Sequence, residues 1–380
     1  MRILISLSYY APNISGLTNC AKILAEELAK KGHRITVMTS KHNKDLPELE
    51  VKDGIKILRV PINFKIGKGP IMLSFPFRAS RCIAEADVVN CHLPQFESFM
   101  LAILAKIKNK RLILTYQTDL SWNGGFLLKI SKISILMSHL ISGILADRII
   151  ASSKDYAEIS WFLKLFKRKL SYIYPPVKLI KLSKAGKNLP GKLAIIKKKY
   201  KIGFLGRISS EKGIEYLLET TPFLLNRLGE NFAIIIAGPK PIGEDVYWNR
   251  IKILSGKYKK FIKFIGELNE EELNTFYKTL DVLVLPSVNN TEAFGMTQTE
   301  AMLNGVPVVV SNLPGVRVPV KETGMGEIAE PRDSKDLAEK TFRILSDRRR
   351  YVGKISNARK IFLENDPIEA YEKLLIGKCR

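Results

Sequence analysis

Two cations in the second half of the sequence have the types and spacing to bind an anion, and two carboxylates lie in a segment that predicts the same kind of site. Glu292 and Glu300 have seven residues between them, in a stretch that predicts a loop and then a helix. Arg207 and Lys212 flank a turn that follows a short apolar run. Cations above a helix N-terminus suit a diphosphate, because side chains and backbone N–H groups there both favour negative charge. On its own, the Arg207–Lys212 pattern is equally consistent with two ordinary surface cations.

The segment that holds the two carboxylates predicts a strand, a loop, a helix and a second strand. Residues 282–285 and 306–310 are short buried-strand runs, and residues 292–303 predict a helix that ends at Asn304-Gly305. Sheets built from such units bind ligands beyond the carboxyl ends of their strands, where loops lead into helices. The backbone N–H groups expected to face an anion there are those of Phe294, Gly295 and Met296.

Similar patterns surround this segment and predict a doubly wound α/β domain. Strands are predicted at residues 202–205, 232–237 and 261–265, followed by a helix over residues 270–280. The end of the chain, residues 367–375, predicts one more helix.

The first half of the chain opens with another strand, loop, helix and strand. The strands are predicted at residues 3–7 and 35–38, with the helix over residues 19–30 and Gly16 in the loop. This is not a dinucleotide-binding fingerprint, because it lacks G-x-G-x-x-G and an acidic residue after the second strand. Gly16 is about equally consistent with a tight turn and with a close approach to a phosphate.

Two more predicted strands end in polar residues, which indicates a crevice on that side of the first sheet. Residues 87–90 lead into His92, and residues 112–116 lead into Gln117 and Asp119. A lone histidine in such a place is more often a structural residue than a catalyst.

Residues 126–146 are the most hydrophobic stretch and predict a helix. One face carries Ile, Leu and Met residues between Ile133 and Ile144, and serines line the other. Two lysines and a histidine in the stretch argue against a membrane span. We interpret the apolar face as part of a core, with an interfacial helix that dips into lipid as the alternative.

Residues 61–77 are a better candidate for contact with a membrane surface. They combine Lys65 and Lys68 with large apolar side chains, and their Gly and Pro residues predict an irregular backbone. The apolar side chains are those of Phe64, Met72, Leu73, Phe75 and Phe77.

Length and composition favour a protein of two or three domains in the cytoplasm. The 380 residues are 46% hydrophobic, no apolar run is long enough to span a bilayer, and no signal peptide is predicted. The four cysteines form no CxxC pair, as is typical of a reduced compartment. We predict domains over residues 1–177 and 178–362, with residues 363–380 as a C-terminal helix that crosses back to the first domain.

The positive charge is distributed unevenly along the chain. Residues 1–200 carry 34 Lys and Arg against 13 Asp and Glu, whereas residues 201–380 carry 27 against 24. This asymmetry favours an acidic partner for the first half: an anionic lipid surface, a phosphorylated acceptor or nucleic acid. A lysine-rich thermophilic surface is the alternative, but it would not explain the uneven distribution.

The motifs of the second half resemble the retaining glycosyltransferases of GT-B type, in the group with a Glu-(seven residues)-Glu signature (family 4, group 1 type). The matching segments are FLGRISSEKGIEYLLE, AGP, FIGELNEEEL and DVLVLPSVNNTEAFGMTQTEAMLNGVPVVVSNLPG, in order over residues 201–340. The first half resembles the family more loosely, through SYYAPNISG, ADVVNCHLP, LILTYQTDL and ADRIIASS. The resemblance implies two Rossmann-like doubly wound domains facing across a cleft, and a glycosyltransferase that uses a UDP- or GDP-linked sugar and no cofactor.

The resemblance also implies a role for each matching residue. Arg207 and Lys212 would hold the donor diphosphate, Glu292 would contact the donor sugar, and Glu300 would bind the ribose hydroxyls. The other donor contacts would be Gly16 at the diphosphate, the backbone at Glu267 and Leu268 at the base, and the N–H groups of Phe294, Gly295, Met296 and Thr297. His92, Gln117 and Asp119 are candidate contacts to the sugar or the acceptor.

Two positions depart from the family pattern. Ser15 stands where the family loop usually has the first of two glycines. Gln117 stands near the position where the family commonly has a histidine facing the sugar. Glutamine can hydrogen-bond a hydroxyl but cannot act as a general base, so no proton transfer is expected at this position.

The chemistry points to the same function. Glycosyl transfer expels a diphosphate, and Arg207, Lys212 and helix amides can stabilise that leaving group without a metal. No metal site is predicted, because the sequence has neither an Asp-x-Asp pair nor a His/Cys cluster. We predict a retaining glycosyltransferase, peripheral on the cytoplasmic membrane face, with a lipid-linked, phospholipid or glycan acceptor.

Three other functions were weighed. A sugar-nucleotide epimerase of the same fold is the main alternative. A related phosphorylase would need a pyridoxal-phosphate lysine in a characteristic setting, which is absent from the sequence. A nucleic-acid-binding protein would explain only the charge, so no nucleic acid partner is predicted.

Overall fold

The chain folds into two compact units. The computed structural model describes residues 1–13, 15–66, 69–120, 126–178, 198–240 and 244–377, except for the side chains of residues 126–132. One unit is Met1–Pro176 together with Asp366–Arg380, and the other is Val177–Asn365. The segment KLSKAGKNLPGK, residues 181–192, predicts a linker and lies outside the described residues.

The first unit is built on an eight-stranded sheet with the order β10-β9-β8-β7-β1-β2-β4-β3. All neighbours are parallel except β3, which is antiparallel to β4. In chain order the strands of the unit are β1 (Arg2–Ser6), β2 (Arg34–Lys41), β3 (Leu49–Lys52), β4 (Ile55–Pro61), β5 (Phe64–Ile66), β6 (Gly69–Ile71), β7 (Val88–Leu93), β8 (Arg111–Tyr116), β9 (Arg148–Ala151) and β10 (Leu170–Tyr172). Strands β5 and β6 form a separate hairpin.

The described part of this unit also contains six α-helices and the C-terminal helix. They are α1 (Gly16–Lys30), α2 (Phe75–Glu85), α3 (Ser98–Ile107), α4 (Phe126–Leu145), α5 (Lys154–Ala157), α6 (Trp161–Leu165) and the C-terminal helix Pro367–Ile376. The C-terminal helix contributes Ile368, Tyr371 and Leu375 to the core beneath β1 and α1. The last fifteen residues of the chain are therefore assigned to the first unit.

Helix α1 begins one turn earlier than predicted. Its first residue is Gly16 rather than residue 19, because Ser15 caps it: the Ser15 hydroxyl accepts the backbone N–H of Thr18 at 3.1 Å. Ser15 has an extended backbone, which any residue adopts, so no glycine is needed there. The cap explains physically how serine takes the place of the family's glycine.

The amphipathic prediction for α4 is wrong in its orientation. Ser138 and Ser142 are buried, whereas Ile133, Met137 and Ile144 are 62%, 52% and 65% exposed. The buried serines are hydrogen-bonded to residues on and just before α3: Ser138 Oγ donates to the Phe96 carbonyl at 2.5 Å, and Ser142 Oγ donates to Ser98 Oγ at 2.9 Å. The small serines let the two helices approach closely, and Ile133, Met137 and Ile144 of the apolar face point outward.

The segment at residues 61–77 is more regular than predicted. It contains the β5–β6 hairpin and the start of α2. Met72 and Phe75 are buried, which corrects their assignment to a contact surface. Four apolar side chains of the segment are exposed: Phe64, Ile66, Leu73 and Phe77. Lys68 lies outside the described residues.

The second unit is built on a six-stranded parallel sheet with the order β13-β12-β11-β14-β15-β16. Its strands are β11 (Tyr200–Leu205), β12 (Phe232–Ala237), β13 (Ile262–Gly266), β14 (Val282–Leu285), β15 (Val308–Ser311) and β16 (Gly326–Ala329). Its helices are α7 (Ile214–Glu219), α8 (Thr221–Leu228), α9 (Asp245–Lys257), α10 (Glu270–Thr279), α11 (Met296–Leu303), α12 (Val318–Thr323), α13 (Ser334–Ser346), α14 (Arg348–Val352) and α15 (Ile355–Arg359). The predicted strands of this half are confirmed to within about two residues.

Both sheets are doubly wound, as predicted. In the first sheet the strand order reverses between β1 and β7, and in the second it reverses between β11 and β14. Ligands of such sheets bind at these switch points, beyond the carboxyl ends of the strands. The loops after β11 and β14 are therefore the expected binding loops of the second unit.

Candidate active site

The loop after β11 brings Lys212 to the switch point of the second sheet. A single 3₁₀ turn, Ser210–Lys212, follows the strand and ends at Gly213, which has a left-handed backbone (φ 62°). A side chain at Gly213 would clash with the carbonyl oxygen of Pro286, just after β14. Glycine is required there because the two loops touch.

Lys212 and Glu292 meet across the switch point. The Lys212 ammonium donates to Glu292 Oε2, and both side chains are largely buried. Ser287, also in the loop after β14, donates from Oγ to the same oxygen at 3.4 Å. The sequence predicted these two charged residues at one edge, and the structure brings them into contact.

Arg207 lies in the same loop but is more exposed. Its guanidinium donates to Glu211 at 2.7 Å, and its side chain is 47% exposed. Such an exposed pair is weak in water. A diphosphate could therefore draw Arg207 away at little cost.

Helix α11 supplies the backbone amides of the site. It begins at Met296 rather than at residue 292, so Glu292 lies in the preceding turn. The residue before the helix, Gly295, has a left-handed backbone (φ 77°) and no side chain that could cap the helix. Within the described residues, no acceptor is assigned to the N–H groups of Met296 and Thr297. Such donors favour an anion.

The start of α7, which follows the turn of Arg207 and Lys212, contributes less. The Ile214 N–H, at the start of α7, already donates to the Tyr247 hydroxyl at 3.2 Å. Tyr247 in turn donates to Glu215 at 2.5 Å. Of the two helix starts, α11 is the one that presents amides to a ligand.

Glu300 projects from α11 toward a buried tyrosine that the sequence did not suggest. Tyr277 donates from its hydroxyl to Glu300 Oε2 at 2.7 Å. Burial raises the pKa of the Glu300 carboxyl, and the Tyr277 hydrogen bond partly offsets this by favouring the charged form. The hydrogen bond from Tyr277 fixes the orientation of the Glu300 carboxylate.

Glu267 and Leu268 lie at the end of β13, the edge strand of the second sheet. Glu267 is exposed and Leu268 is buried. Asn269 then caps α10 through a capping box with Glu272, which fixes the direction of the backbone there. Their assignment to the base stays a prediction.

The polar strand ends of the first unit form a separate cluster. His92 is fully buried, with Nε2 2.9 Å from Asn90 Oδ1 and Nδ1 2.7 Å from Gln117 Nε2. Burial lowers the pKa of His92 to about 3, so the ring is neutral. His92 is therefore placed to orient Gln117 rather than to touch a ligand.

Asp119 is held by a second group of hydroxyls. Ser160 donates to Asp119 Oδ1 at 2.9 Å, and Tyr116 donates to the same oxygen. The Asp119 N–H donates to the Tyr156 hydroxyl at 2.7 Å. Gly16 lies in the first turn of α1, whose Leu17 carbonyl is 3.4 Å from Gln117 Nε2. Gly16, His92, Gln117 and Asp119 thus all lie at the β1–β7–β8 edge.

Within the described ranges, no cluster of three or more His, Cys, Asp or Glu side chains could hold a metal ion. No helix in the described part of the chain is long and apolar enough to cross a membrane.

Sequence reasoning missed Tyr277, Tyr247 and Ser287. Ser287 could have been found, because it lies in the predicted loop beside Glu292. Tyr277 is 23 residues from Glu300 and Tyr247 is 32 from Glu215, and no sequence period links such pairs.

Comparison with known families decides the class of protein. The profile described as "Glycosyl transferases group 1" matches residues 187–361, and the profile "Glycosyltransferase Family 4" matches residues 14–180. An uncharacterized glycosyltransferase of Methanocaldococcus jannaschii is 30% identical over 380 residues, covering 95% of this chain and 93% of the relative. The chain belongs to the group 1, family 4 glycosyltransferases.

Two further similarities have lower sequence identity. The D-rhamnosyltransferase WbpZ of Pseudomonas aeruginosa is 24% identical, covering 80% of this chain and 76% of the relative. The crystal structure of Anabaena HepE in complex with UDP-glucose superposes with a TM-score of 0.77 at 19% identity, covering 99% of each chain. This similarity confirms the GT-B fold of two Rossmann-like domains.

Proposed function

We propose that this glycosyltransferase is a retaining enzyme that moves a sugar from a UDP- or GDP-linked donor to a lipid-linked, phospholipid or glycan acceptor at the cytoplasmic face of the membrane. The observation that carries the donor assignment is the contact between Lys212 and Glu292 at the β11–β14 switch point, beside the uncapped start of α11.

The site has the charges that a nucleoside diphosphate sugar requires. Lys212, Arg207 and the amides of α11 suit the diphosphate. Glu292 suits sugar hydroxyls and Glu300 suits ribose hydroxyls, because carboxylates accept hydrogen bonds from both. Support from the fold comes from HepE, which is described in complex with UDP-glucose.

The proposed reaction keeps the configuration at the sugar C1. The C1–oxygen bond to the diphosphate breaks while the acceptor oxygen forms a bond to C1 on the same face. The proton of the acceptor hydroxyl passes to the departing phosphate oxygen, and the nucleoside diphosphate leaves. Lys212, Arg207 and the amides stabilise the negative charge that develops on the leaving group. Neither Glu292 nor Glu300 acts as a nucleophile, and the reaction needs no metal.

The positive charge supports an acidic or membrane-bound acceptor less strongly than the sequence halves suggest. Residues 177–199 alone contain eight lysines and no acidic residue. Without them, Met1–Pro176 carries 26 Lys and Arg against 13 Asp and Glu, while residues 200–365 carry 24 against 21. The first unit keeps a clear excess, but the linker holds much of the asymmetry.

Exposed apolar side chains of the first unit support the proposed contact with a membrane. Phe64, Leu73 and Phe77 project from the β5–β6 hairpin and the start of α2. Ile133, Met137 and Ile144 of α4 are also exposed and add a second apolar surface on the same unit. Aromatic and aliphatic side chains near lysines are typical of peripheral membrane contact.

A thermal-shift panel tests the donor assignment. UDP, GDP and their sugars are added to the wild type, to K212M and to a matched control, K260M, whose lysine pairs with Glu230 on an exposed surface. We expect one nucleotide to stabilise the wild type and K260M but not K212M. Equal stabilisation of K212M would remove Lys212 from the donor site.

The reaction itself is tested by product analysis with a glycolipid extract as acceptor. We expect the anomeric configuration of the donor to be kept, with activity unchanged by EDTA. A trapped covalent glycosyl-enzyme would contradict the same-face mechanism. Formation of an epimeric sugar nucleotide without acceptor would favour the epimerase alternative.

Flotation with liposomes tests the membrane surface. We expect the wild type to bind vesicles that contain anionic lipid at low salt, and the double variant L73S/F77S to bind more weakly. The matched control V246S removes an exposed apolar side chain from the second unit. Absence of wild-type binding would remove the membrane from the proposal and leave the donor assignment intact.

A further inference from the structure

We propose that Asn90 and His92 are positioning residues that fix the Gln117 side chain so that it offers a ligand only a hydrogen-bond acceptor, its Oε1 atom. The ligand group that meets it must then be a donor, namely a sugar hydroxyl. This inference rests on the proposed function for the presence of a sugar, but the polarity of Gln117 follows from the protein alone.

The polarity begins at a backbone carbonyl, which can only accept. Asn90 Nδ2 lies 3.1 Å from the Ile113 carbonyl oxygen and 2.9 Å from Thr115 Oγ1. Because a carbonyl cannot donate, the Asn90 amide nitrogen must face it. Asn90 Oδ1 then points the other way, as an acceptor toward His92.

The ring of His92 passes this polarity on. Its Nε2 lies 2.9 Å from Asn90 Oδ1, so Nε2 carries the proton. In a neutral imidazole the other nitrogen is then an acceptor, and Nδ1 lies 2.7 Å from Gln117 Nε2. His92 and Asn90 are both fully buried, so water cannot substitute for either partner.

Gln117 is the open end of this relay. One hydrogen of its amide is donated to His92 Nδ1, and the other points toward the Leu17 carbonyl at 3.4 Å. Within the described residues, no donor is assigned to Gln117 Oε1, and the side chain is only partly buried. A flipped amide would set Oε1 against the lone pair of His92 Nδ1, where two acceptors repel.

The relay is anchored at its other end by the C-terminal helix. Thr115 Oγ1 accepts from Asn90, and Thr115 is also hydrogen-bonded to the Tyr371 side chain. Tyr371 is buried and interacts with Cys20 of α1. The polarity of Gln117 is therefore fixed by hydrogen bonds that run through the interior of the unit.

Nuclear magnetic resonance tests the polarity without any ligand. The chain has four histidines, so selective ¹⁵N-histidine labelling gives a simple spectrum, and H92Q identifies the His92 signals. We expect a neutral His92 ring with the proton on Nε2 at pH 7. A ring protonated on Nδ1 would overturn the proposal.

Sugar analogues test what Gln117 recognises. Binding of UDP-glucose and of methyl α-glucoside is compared with their positional deoxy and fluoro forms, in the wild type and in Q117M. At one position of the sugar, replacing the hydroxyl by hydrogen or by fluorine should each weaken binding to the wild type about tenfold, because neither substituent can donate a hydrogen bond. Q117M should not distinguish the hydroxyl from either substituent at that position. If Q117M removes the discrimination among the UDP-glucose analogues, Gln117 contacts a hydroxyl of the sugar that is transferred. If it does so among the methyl α-glucoside analogues, Gln117 contacts a hydroxyl of the sugar that accepts the transfer.

Two outcomes would overturn the proposal in this second test. One is fluorine that restores binding, since Gln117 would then be the donor. The other is that Q117M and the wild type discriminate equally at every position of both sugars. The variant N90A, which does not touch the ligand, should mix the two His92 tautomers and weaken the fluorine discrimination while its melting transition stays cooperative. If no nucleotide sugar bound to the protein, only the proposed function would be overturned. The histidine spectrum would still test the hydrogen bonds that link Asn90, His92 and Gln117.

Discussion

Lys212 and Glu292 are joined by a hydrogen-bonded ion pair that spans the switch point of the second sheet. The lysine comes from the loop after β11 and the glutamate from the loop after β14, so the pair closes the two binding loops together. A donor diphosphate would compete with Glu292 for the ammonium and leave the carboxylate to bind hydroxyls. The pair thus sets the charge of the site before a ligand arrives.

Substitution of Lys212 by alanine is expected to weaken nucleotide diphosphate binding about 10- to 100-fold, the value of a hydrogen bond to a charged group. Calorimetric titration of the nucleotide selected by thermal shift measures the loss. K260A, which breaks an exposed lysine pair in the same unit, should bind like the wild type. If K212A lowered the affinity less than twofold, the diphosphate would not bind at Lys212.

Removal of the Tyr277 hydroxyl is expected to act through Glu300. Because that hydrogen bond lowers the pKa of Glu300 while burial raises it, Y277F should push the pKa higher. If Glu300 binds ribose as a carboxylate, the nucleotide affinity of Y277F should be about 5- to 30-fold lower than that of the wild type. As the pH is lowered, the affinity of Y277F should also begin to fall at a higher pH than that of the wild type. Calorimetric titration at several pH values follows this shift.

The matched control for Y277F is Y351F. Tyr351 donates to Glu327 at 2.6 Å in the same unit, outside the candidate site. It should leave the pH dependence of nucleotide binding unchanged. The same shift in both variants would show a general loss of packing instead of an effect on Glu300.

Alanine at Gly295 is expected to destabilise the second unit by about 1–3 kcal/mol, since it imposes a left-handed backbone on a residue with a side chain. The added Cβ would also lie 2.5 Å from Leu285 Cδ2. Urea denaturation measures the loss. G256A, near the end of α9, meets nothing within 4 Å and should instead stabilise by about 0.5–1 kcal/mol. A neutral G295A would mean that the loop adapts freely.

Acid should destabilise the first unit through two buried histidines. Burial lowers the pKa of His92 to about 3 and that of His139 to about 4. The unfolded chain therefore binds more protons below pH 6.5, and each histidine should cost about 2 kcal/mol of stability at pH 5 relative to pH 8.

Glu97 opposes this acid effect. Burial raises its pKa to about 7, so the folded state binds the extra proton between pH 7 and 4.5 and gains about 2–3 kcal/mol at pH 5. E97Q should therefore lose stability more steeply than the wild type from pH 8 to pH 5. Urea denaturation at both values checks the difference, and parallel curves would contradict the assignment to Glu97.

The strands could be predicted from the sequence because they are buried on both faces. Val282–Leu285 and Phe232–Ala237 are continuous apolar runs, and the structure has both with the predicted bounds. The same reasoning brought Lys212 and Glu292 to one sheet edge. It did so because the topology of a doubly wound sheet fixes which loops are neighbours.

Other features depend on partners that are distant in the sequence. The orientation of α4 could not be predicted, because its buried serines depend on hydrogen bonds to a hydroxyl and a carbonyl that lie on or just before α3. Nothing near Glu300 in the sequence indicates Tyr277. The early start of α1 was predictable in principle, since Ser15 with Thr18 is a capping pattern.

The C-terminal helix has a consequence for how the protein is made. Ile368, Tyr371 and Leu375 fill the core of the first unit, yet they follow the whole of the second unit in the chain. The second unit is one continuous stretch, Val177–Asn365, whose residues are all synthesised before that helix. The first unit can therefore acquire its full interior only after the second unit has been synthesised.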